Sequence, residues 1–200
     1  MIRIFSFVLM SLMTSLPVNA AKLLIIGDSL SAGYQMPLEK AWPTLLAGVM
    51  EQKGKSVTVV NGSISGDTTG NGIARLPALL SEHTPDIVLI ELGANDGLRG
   101  FPPNHIQSNL TQLIQLVKQA DAEPLLMQIH VLPNYGKRYT QAFSAIYPQL
   151  SHQLNVPLIP FFLEGVITRT GWMMDDGLHP KAVAQPWIAD FVANELINYL

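Results

Sequence analysis

The sequence predicts an α/β protein, a three-layer α/β/α sandwich around a central, mostly parallel sheet of five strands. Three observations lead there. Short apolar runs alternate along the chain with longer segments of helical periodicity, the pattern of consecutive βαβ units. The short runs are apolar throughout rather than at every second residue, as strands must be when helices cover both faces of a parallel sheet. The chain has 200 residues, enough for one domain with a substantial core and too few for two comfortable ones.

Taken in order, the strands are expected at 22–26, 56–61, 86–92, 124–130 and 156–160. Helices are expected between them at 43–53, where Gly54 ends the run, at 70–83, opened by Thr68 or Thr69, at 103–120 and at 138–154, with a last one over about 182–199. Pro43 and Pro103 suit the first turn of a helix, where the missing N–H is not needed. Pro77, Pro148 and Pro186 fall inside helical patterns and predict local kinks or interruptions. No repeat, low-complexity tract or linker divides the chain.

Composition narrows the function. Charged residues make up only 14%, against roughly 25% in an average soluble protein, and the formal net charge is −3 with no cluster of Lys or Arg. A nucleic-acid partner is therefore not expected. The absence of cysteine excludes a thiol nucleophile, a thiolate metal site and disulfides. Residues 1–20 have the form of an export signal: Arg3, an apolar stretch over 4–16, and the small-x-small site Val18-Asn19-Ala20. The apolar stretch is shorter than the roughly 18 to 20 residues that span a bilayer. The expectation is a protein exported to the periplasm or beyond, cleaved near Ala20. Residues 21–200 then form one domain, a monomer without stable membrane insertion.

In open parallel sheets, ligands collect beyond the carboxyl ends of the strands. The loops there hold the residues able to do chemistry. Ser29 follows the first strand directly, in Gly27-Asp28-Ser29-Leu30-Ser31, where a sharp turn would expose its hydroxyl. A serine hydroxyl needs a neighbouring base. Of the five histidines, His83 and His152 fall near helix ends, His105 in a first turn and His130 at the end of a strand. His179 differs, because Asp176 precedes it by three residues in Asp175-Asp176-Gly177-Leu178-His179-Pro180. That offset lets a carboxylate reach one ring nitrogen and leave the other free to take a proton. Asp175 competes for the orienting role, and spacing favours Asp176. Gly66, in Ser65-Gly66-Asp67-Thr68-Thr69, and Asn95, in Gly93-Ala94-Asn95-Asp96, could donate hydrogen bonds to a developing oxyanion. Leu98, Phe101, Val131, Leu132 and Tyr135 in the mouth loops could line a groove for an acyl chain. A two-metal phosphoesterase would want several His and carboxylates, and here only His179 is well placed.

These four blocks, in this order and across residues 21–200, resemble those of the GDSL or SGNH hydrolase family. The resemblance implies the flavodoxin-like fold of that family and a serine hydrolase of esters and thioesters. It implies Ser29 as nucleophile, His179 as general base and then acid, and Asp176 as the orienting carboxylate. The oxyanion hole would be formed by the N–H groups of Ser29 and Gly66 and the side chain of Asn95. It further implies a mobile loop at 98–103. No metal or organic cofactor is expected, and the partner is a small acyl ester or thioester, or a lysophospholipid.

Overall fold

A computed structural model describes residues 20–200, so the expected leader lies outside the described residues apart from Ala20. Five strands form one sheet: β1 (Ala21–Gly27), β2 (Val57–Asn61), β3 (Ile87–Glu91), β4 (Glu123–Met127) and β5 (Leu158–Ile159). Their order is β2-β1-β3-β4-β5, and every pairing is parallel. Leu23 to Ile26 and Val88 to Ile90 have no exposed surface, as residues sealed on both faces must. The sheet is the expected one, although β4 and β5 end earlier than their apolar runs, and β5, paired only with β4, keeps two residues.

Among the described residues seven α-helices flank it: α1 (Trp42–Gln52), α2 (Thr69–His83), α3 (Ala94–Leu98), α4 (Pro103–Gln119), α5 (Lys137–Leu154), α6 (Phe162–Ile167) and α7 (Gln185–Leu196). Helix α1 packs on α7, and α7 on α6; α2 packs on α4, and α4 on α5. Thr68 caps α2 in a reciprocal pair with Asn71, each side chain accepting from the other's backbone N–H.

Three expectations about prolines and helices are corrected. Of the kinks or interruptions expected at Pro77 and Pro148, no interruption occurs: α2 and α5 run through both, with neighbouring buried residues, Leu76 and Leu80 in one and Tyr147 and Leu150 in the other, holding them to the core. Pro186 lies in the first turn of α7, where its missing N–H is harmless; residues 182–184 form a separate 3₁₀ turn. The short helices α3 and α6 stand where loops were expected, both at the carboxyl edge of the sheet.

The order 2-1-3-4-5 reverses direction between β1 and β3, so the chain leaving β1 and the chain leaving β3 part there and open a crevice. Ser29 leaves one strand at this point and Asn95 follows the other.

Candidate active site

Gly27, the last residue of β1, lies in register with Glu91, the last residue of β3. A Cβ at Gly27 would stand 2.6 Å from Glu91 Oε2, so only glycine fits. The chain then turns sharply. Asp28 Oδ1 accepts the N–H of Leu30 at 3.0 Å, and Asp28 O accepts those of Ser31 and Ala32. The Trp42 indole N–H holds Leu30 O from beneath at 3.1 Å. This turn leaves Ser29 at the surface of a cavity.

The opposite end of the chain brings an imidazole to the same place. Residues 173–180 close on themselves through a Met173–Pro180 bridge and a 2.7 Å bond from Met174 N–H to His179 O. Within this loop Asp176 Oδ1 accepts the N–H groups of Leu178 and His179, while Oδ2 lies 2.7 Å from His179 Nδ1. The other ring nitrogen, Nε2, is 2.8 Å from Ser29 Oγ. Asp175 points away, fully exposed, its nearest cation Lys181 at 3.9 Å. What burial Asp176 has pulls its pKa upward, but the bonds from the His179 ring and the two N–H groups, with the imidazole's charge, hold it at about 2. Tyr34 lies on the face of the imidazole, ring centroids 4.1 Å apart and planes 27° from parallel.

Donors converge from two further loops. Gly66 has φ +86° with open space where a side chain would be, so glycine serves the backbone conformation there. Its carbonyl accepts from Arg99, and Asp67 beside it is clamped by Arg75 at 2.7 Å. Among the described residues, the N–H groups of Ser29 and Gly66 donate to no protein acceptor. The side-chain amide of Asn95, in α3, reaches Asp28 Oδ2 at 3.1 Å and Asp67 O at 3.0 Å. Asp96, next to it and fully buried, accepts from Thr69 N–H and Oγ1 and so ties α3 to the start of α2.

Ser29, Gly66, Asn95 and His179 border one cavity of about 510 Å³, its walls formed by Leu30, Leu98, Val131, Leu132, Phe161 and Leu163. Of the expected apolar residues, Leu98, Val131 and Leu132 belong to this lining; Phe101 and Tyr135 do not. Phe101 packs inward against the core and the edge of His105. Tyr135 lies outside the cavity and gives its hydroxyl to Leu98 O at 2.8 Å, while Tyr139 does the same for Phe101 O, so both tyrosines pin the 98–101 segment. His130, at the cavity's edge, contacts Glu164 at 3.2 Å. Among the described residues no three His, Asp or Glu side chains gather as metal ligands would, and no helix is long and apolar enough to cross a membrane.

Sequence reasoning passed over three residues here. Tyr34 carries no spacing signal that links it to an imidazole 145 positions away. Asp28 stands next to Ser29 in a run of turn-forming residues, which masks any further role. Glu91 was the clearest overlooked signal, a carboxylate ending a strand that is otherwise apolar and, in the structure, fully buried. Burial, first of all, pushes Glu91 well above the carboxyl range, helped by the charge of Asp28, and likewise raises Asp28 to about 7 against the bonds from Leu30 and Asn95.

A hydroxyl, an imidazole and a carboxylate in hydrogen-bonded line, at the carboxyl edge of a parallel sheet, have the arrangement of hydrolases that act through a serine. Comparison with known proteins narrows that class. The family model of the GDSL-like lipase/acylhydrolases matches residues 25–185. An arylesterase of Vibrio mimicus is 62% identical over the whole of both chains. The thioesterase 1/protease 1/lysophospholipase L1 of Escherichia coli K12 is 55% identical over 95% of this chain and 90% of its own. Among solved structures, the psychrotrophic esterase EstA from Pseudoalteromonas superposes with a TM-score of 0.86 at 41% identity, covering 89% of this chain and 97% of that one. The chain belongs to the GDSL-like lipase/acylhydrolase family, the SGNH hydrolases, and is an enzyme of that family.

Proposed function

We propose that the protein hydrolyses carboxylic esters and thioesters through an acyl-enzyme on Ser29. Ser29 Oγ attacks the acyl carbonyl as its proton passes to His179 Nε2, and Asp176 holds the ring in the tautomer that can receive it. The oxyanion is met by the N–H groups of Ser29 and Gly66 and by the Asn95 amide. The tetrahedral intermediate expels the alcohol or thiol, which takes the proton from His179. Water then attacks the acyl-enzyme by the same route and frees the acid.

The 2.8 Å approach of His179 Nε2 to Ser29 Oγ, with Asp176 on the other ring nitrogen, is the observation that carries this reading. The apolar cavity beside Ser29 supports an acyl chain as the group it takes, lysophospholipids included. A fluorophosphonate reagent should label Ser29 stoichiometrically in the folded enzyme and abolish hydrolysis of p-nitrophenyl esters and acyl-CoA. An active enzyme after complete labelling, or label on another residue, refutes the assignment. We also propose export, resting on the leader pattern at 1–20, and take a monomer as the default state. The intact mass and sedimentation of the protein recovered from the periplasm test both.

A further inference from the structure

We propose that Asp28 is a positioning residue for the reaction: its buried carboxylate joins the turn that presents Ser29 to the Asn95 amide and holds that amide ready for the oxyanion. The proposal rests on the roles given to Ser29 and Asn95 above.

The hydrogen bonds of Asp28 leave little freedom. Its side chain is wholly buried, and each oxygen faces an N–H donor, Leu30 N at Oδ1 and Asn95 Nδ2 at Oδ2. Both oxygens accept, the pattern that suits the ionised carboxylate, and a proton on either would weaken the bond made there. The neighbouring carboxyl is built differently. Glu91 Oε2 accepts from Ser31 Oγ at 2.7 Å and from Asp28 N–H at 3.3 Å, whereas Glu91 Oε1 is buried with no hydrogen-bond partner among the described residues. Two carboxyls this close and this dry do not both ionise. The proton held longest as pH rises therefore belongs on Glu91, at the oxygen no donor faces, and the first charge to form belongs on Asp28. The other groups around Asp28 fit that assignment. Asp67 is neutralised by Arg75, Asp96 is satisfied by Thr69, and the Tyr147 hydroxyl is occupied with Leu92 O.

The charge on Asp28 has a consequence for Asn95. Its amide nitrogen carries two hydrogens, one on the Asp28 carboxylate and one on the neutral carbonyl of Asp67. Charge-assisted bonds are the stronger kind, so the carboxylate fixes the amide while the bond to the carbonyl is the one that yields to an oxyanion. Asp28 also shapes the turn of Ser29 through Leu30, and thus one side chain sets both the nucleophile and the donor that serves it.

A double-mutant cycle tests this. Asp28→Asn keeps the size of the side chain but turns an NH2 group on either Leu30 N–H or Asn95. It should lower kcat about 10²-fold, as should Asn95→Ala, the scale for losing one oxyanion donor, with KM much less affected. The double variant should be no slower than the slower single one, because both changes remove the same interaction. Losses that multiply, a full kcat in Asp28→Asn, or a full kcat in Asn95→Ala overturn the proposal. Asp28→Ser guards against misfolding: its hydroxyl can still accept from Leu30 but is too short for Asn95, and the same lack of additivity is expected. In the native enzyme the Asn95 side-chain amide signals, assigned by their loss in Asn95→Ala, should shift as Asp28 titrates; signals that stay fixed also overturn it. Ser29→Ala separates the two readings. If that variant is active, the nucleophile assignment fails, whereas an inactive one with multiplying losses at Asp28 and Asn95 removes only the present inference.

Discussion

Two aspartates flank Ser29, Asp176 in the loop above it and Asp28 in the floor below, and each accepts N–H bonds on both oxygens. Yet Asp176 is held at about 2 and Asp28 raised to about 7. Donors do not account for the difference, since both have them. The surroundings do. Asp176 keeps more than a third of its side chain in water and faces an imidazole, whereas Asp28 is sealed and its backbone N–H rests on a second buried carboxyl, Glu91. The loop above can therefore hold a charge in support of a proton transfer at little expense, while the floor must share one charge between two acids. The comparison separates a region suited to chemistry from one suited to geometry.

The sharpest way to break it is at the loop. His179→Ala, like Ser29→Ala, should lower kcat on p-nitrophenyl esters by at least about 10³-fold in a protein that melts as the native one does, the scale for losing a member of such a relay. A loss under tenfold would mean the imidazole is not the base. Next in size, Asp176→Asn should cost about 10²-fold or more by disfavouring the tautomer that receives the proton. Asp175→Asn, at a fully exposed side chain, should leave kcat/KM within about twofold. Equal losses at the two positions would dissolve the distinction drawn from geometry. Smaller again is Tyr34. Stacking of an aromatic ring on the imidazole is worth about 0.5–1.5 kcal/mol, so Tyr34→Leu should lower kcat by about three- to tenfold. Tyr34→Phe, which keeps the ring, should be nearly silent; a large loss there would assign the effect to the phenol instead.

How much of this was legible in the sequence depends on range. β1 and β3 could be read because apolar runs buried on both faces need no partner to be recognised, and the offset of Asp176 from His179 could be read because a three-residue turn is local. The nearness of Ser29 to His179, 150 positions on, has no local code, and only the resemblance of four ordered blocks suggested it. Helix α3 was hidden because Gly93, Asn95 and Asp96 are turn formers by propensity, while its burial against Phe143 and Val131 is tertiary. Phe101 and Tyr135 were misplaced for the same reason. Pocket walls and loop cores use the same residue types, and a hydroxyl bond such as Tyr135 to Leu98 O leaves no trace in spacing. The Asp28–Glu91 pair was in view, but a single acid at the end of an apolar strand acquires meaning only from the register that sets it against Gly27.

That pair gives the smallest effect and the finest test of the comparison, because the loop and the floor should respond to pH with opposite sign. Asp176 binds its proton less tightly when folded than its ordinary 3.8, so its contribution to stability is present above that value and is lost as pH falls toward about 2. Asp28 and Glu91 bind theirs more tightly than their ordinary 3.8 and 4.5. Their contribution is complete below those values and drains as pH climbs, that of Asp28 through about 7 and that of Glu91 well above the carboxyl range. In Glu91→Gln the floor keeps its shape and loses the acid that retains its proton longest. Melting curves from mild acid into mild alkali should therefore fall less steeply for Glu91→Gln than for the native protein, by about 3 °C per pH unit for each proton the native fold alone retains. Asp176→Asn should leave that alkaline slope untouched and flatten only the acid one. Identical alkaline slopes in the native protein and Glu91→Gln would mean that no proton is held in the floor. The contrast between the two carboxyl regions would then be one of position alone.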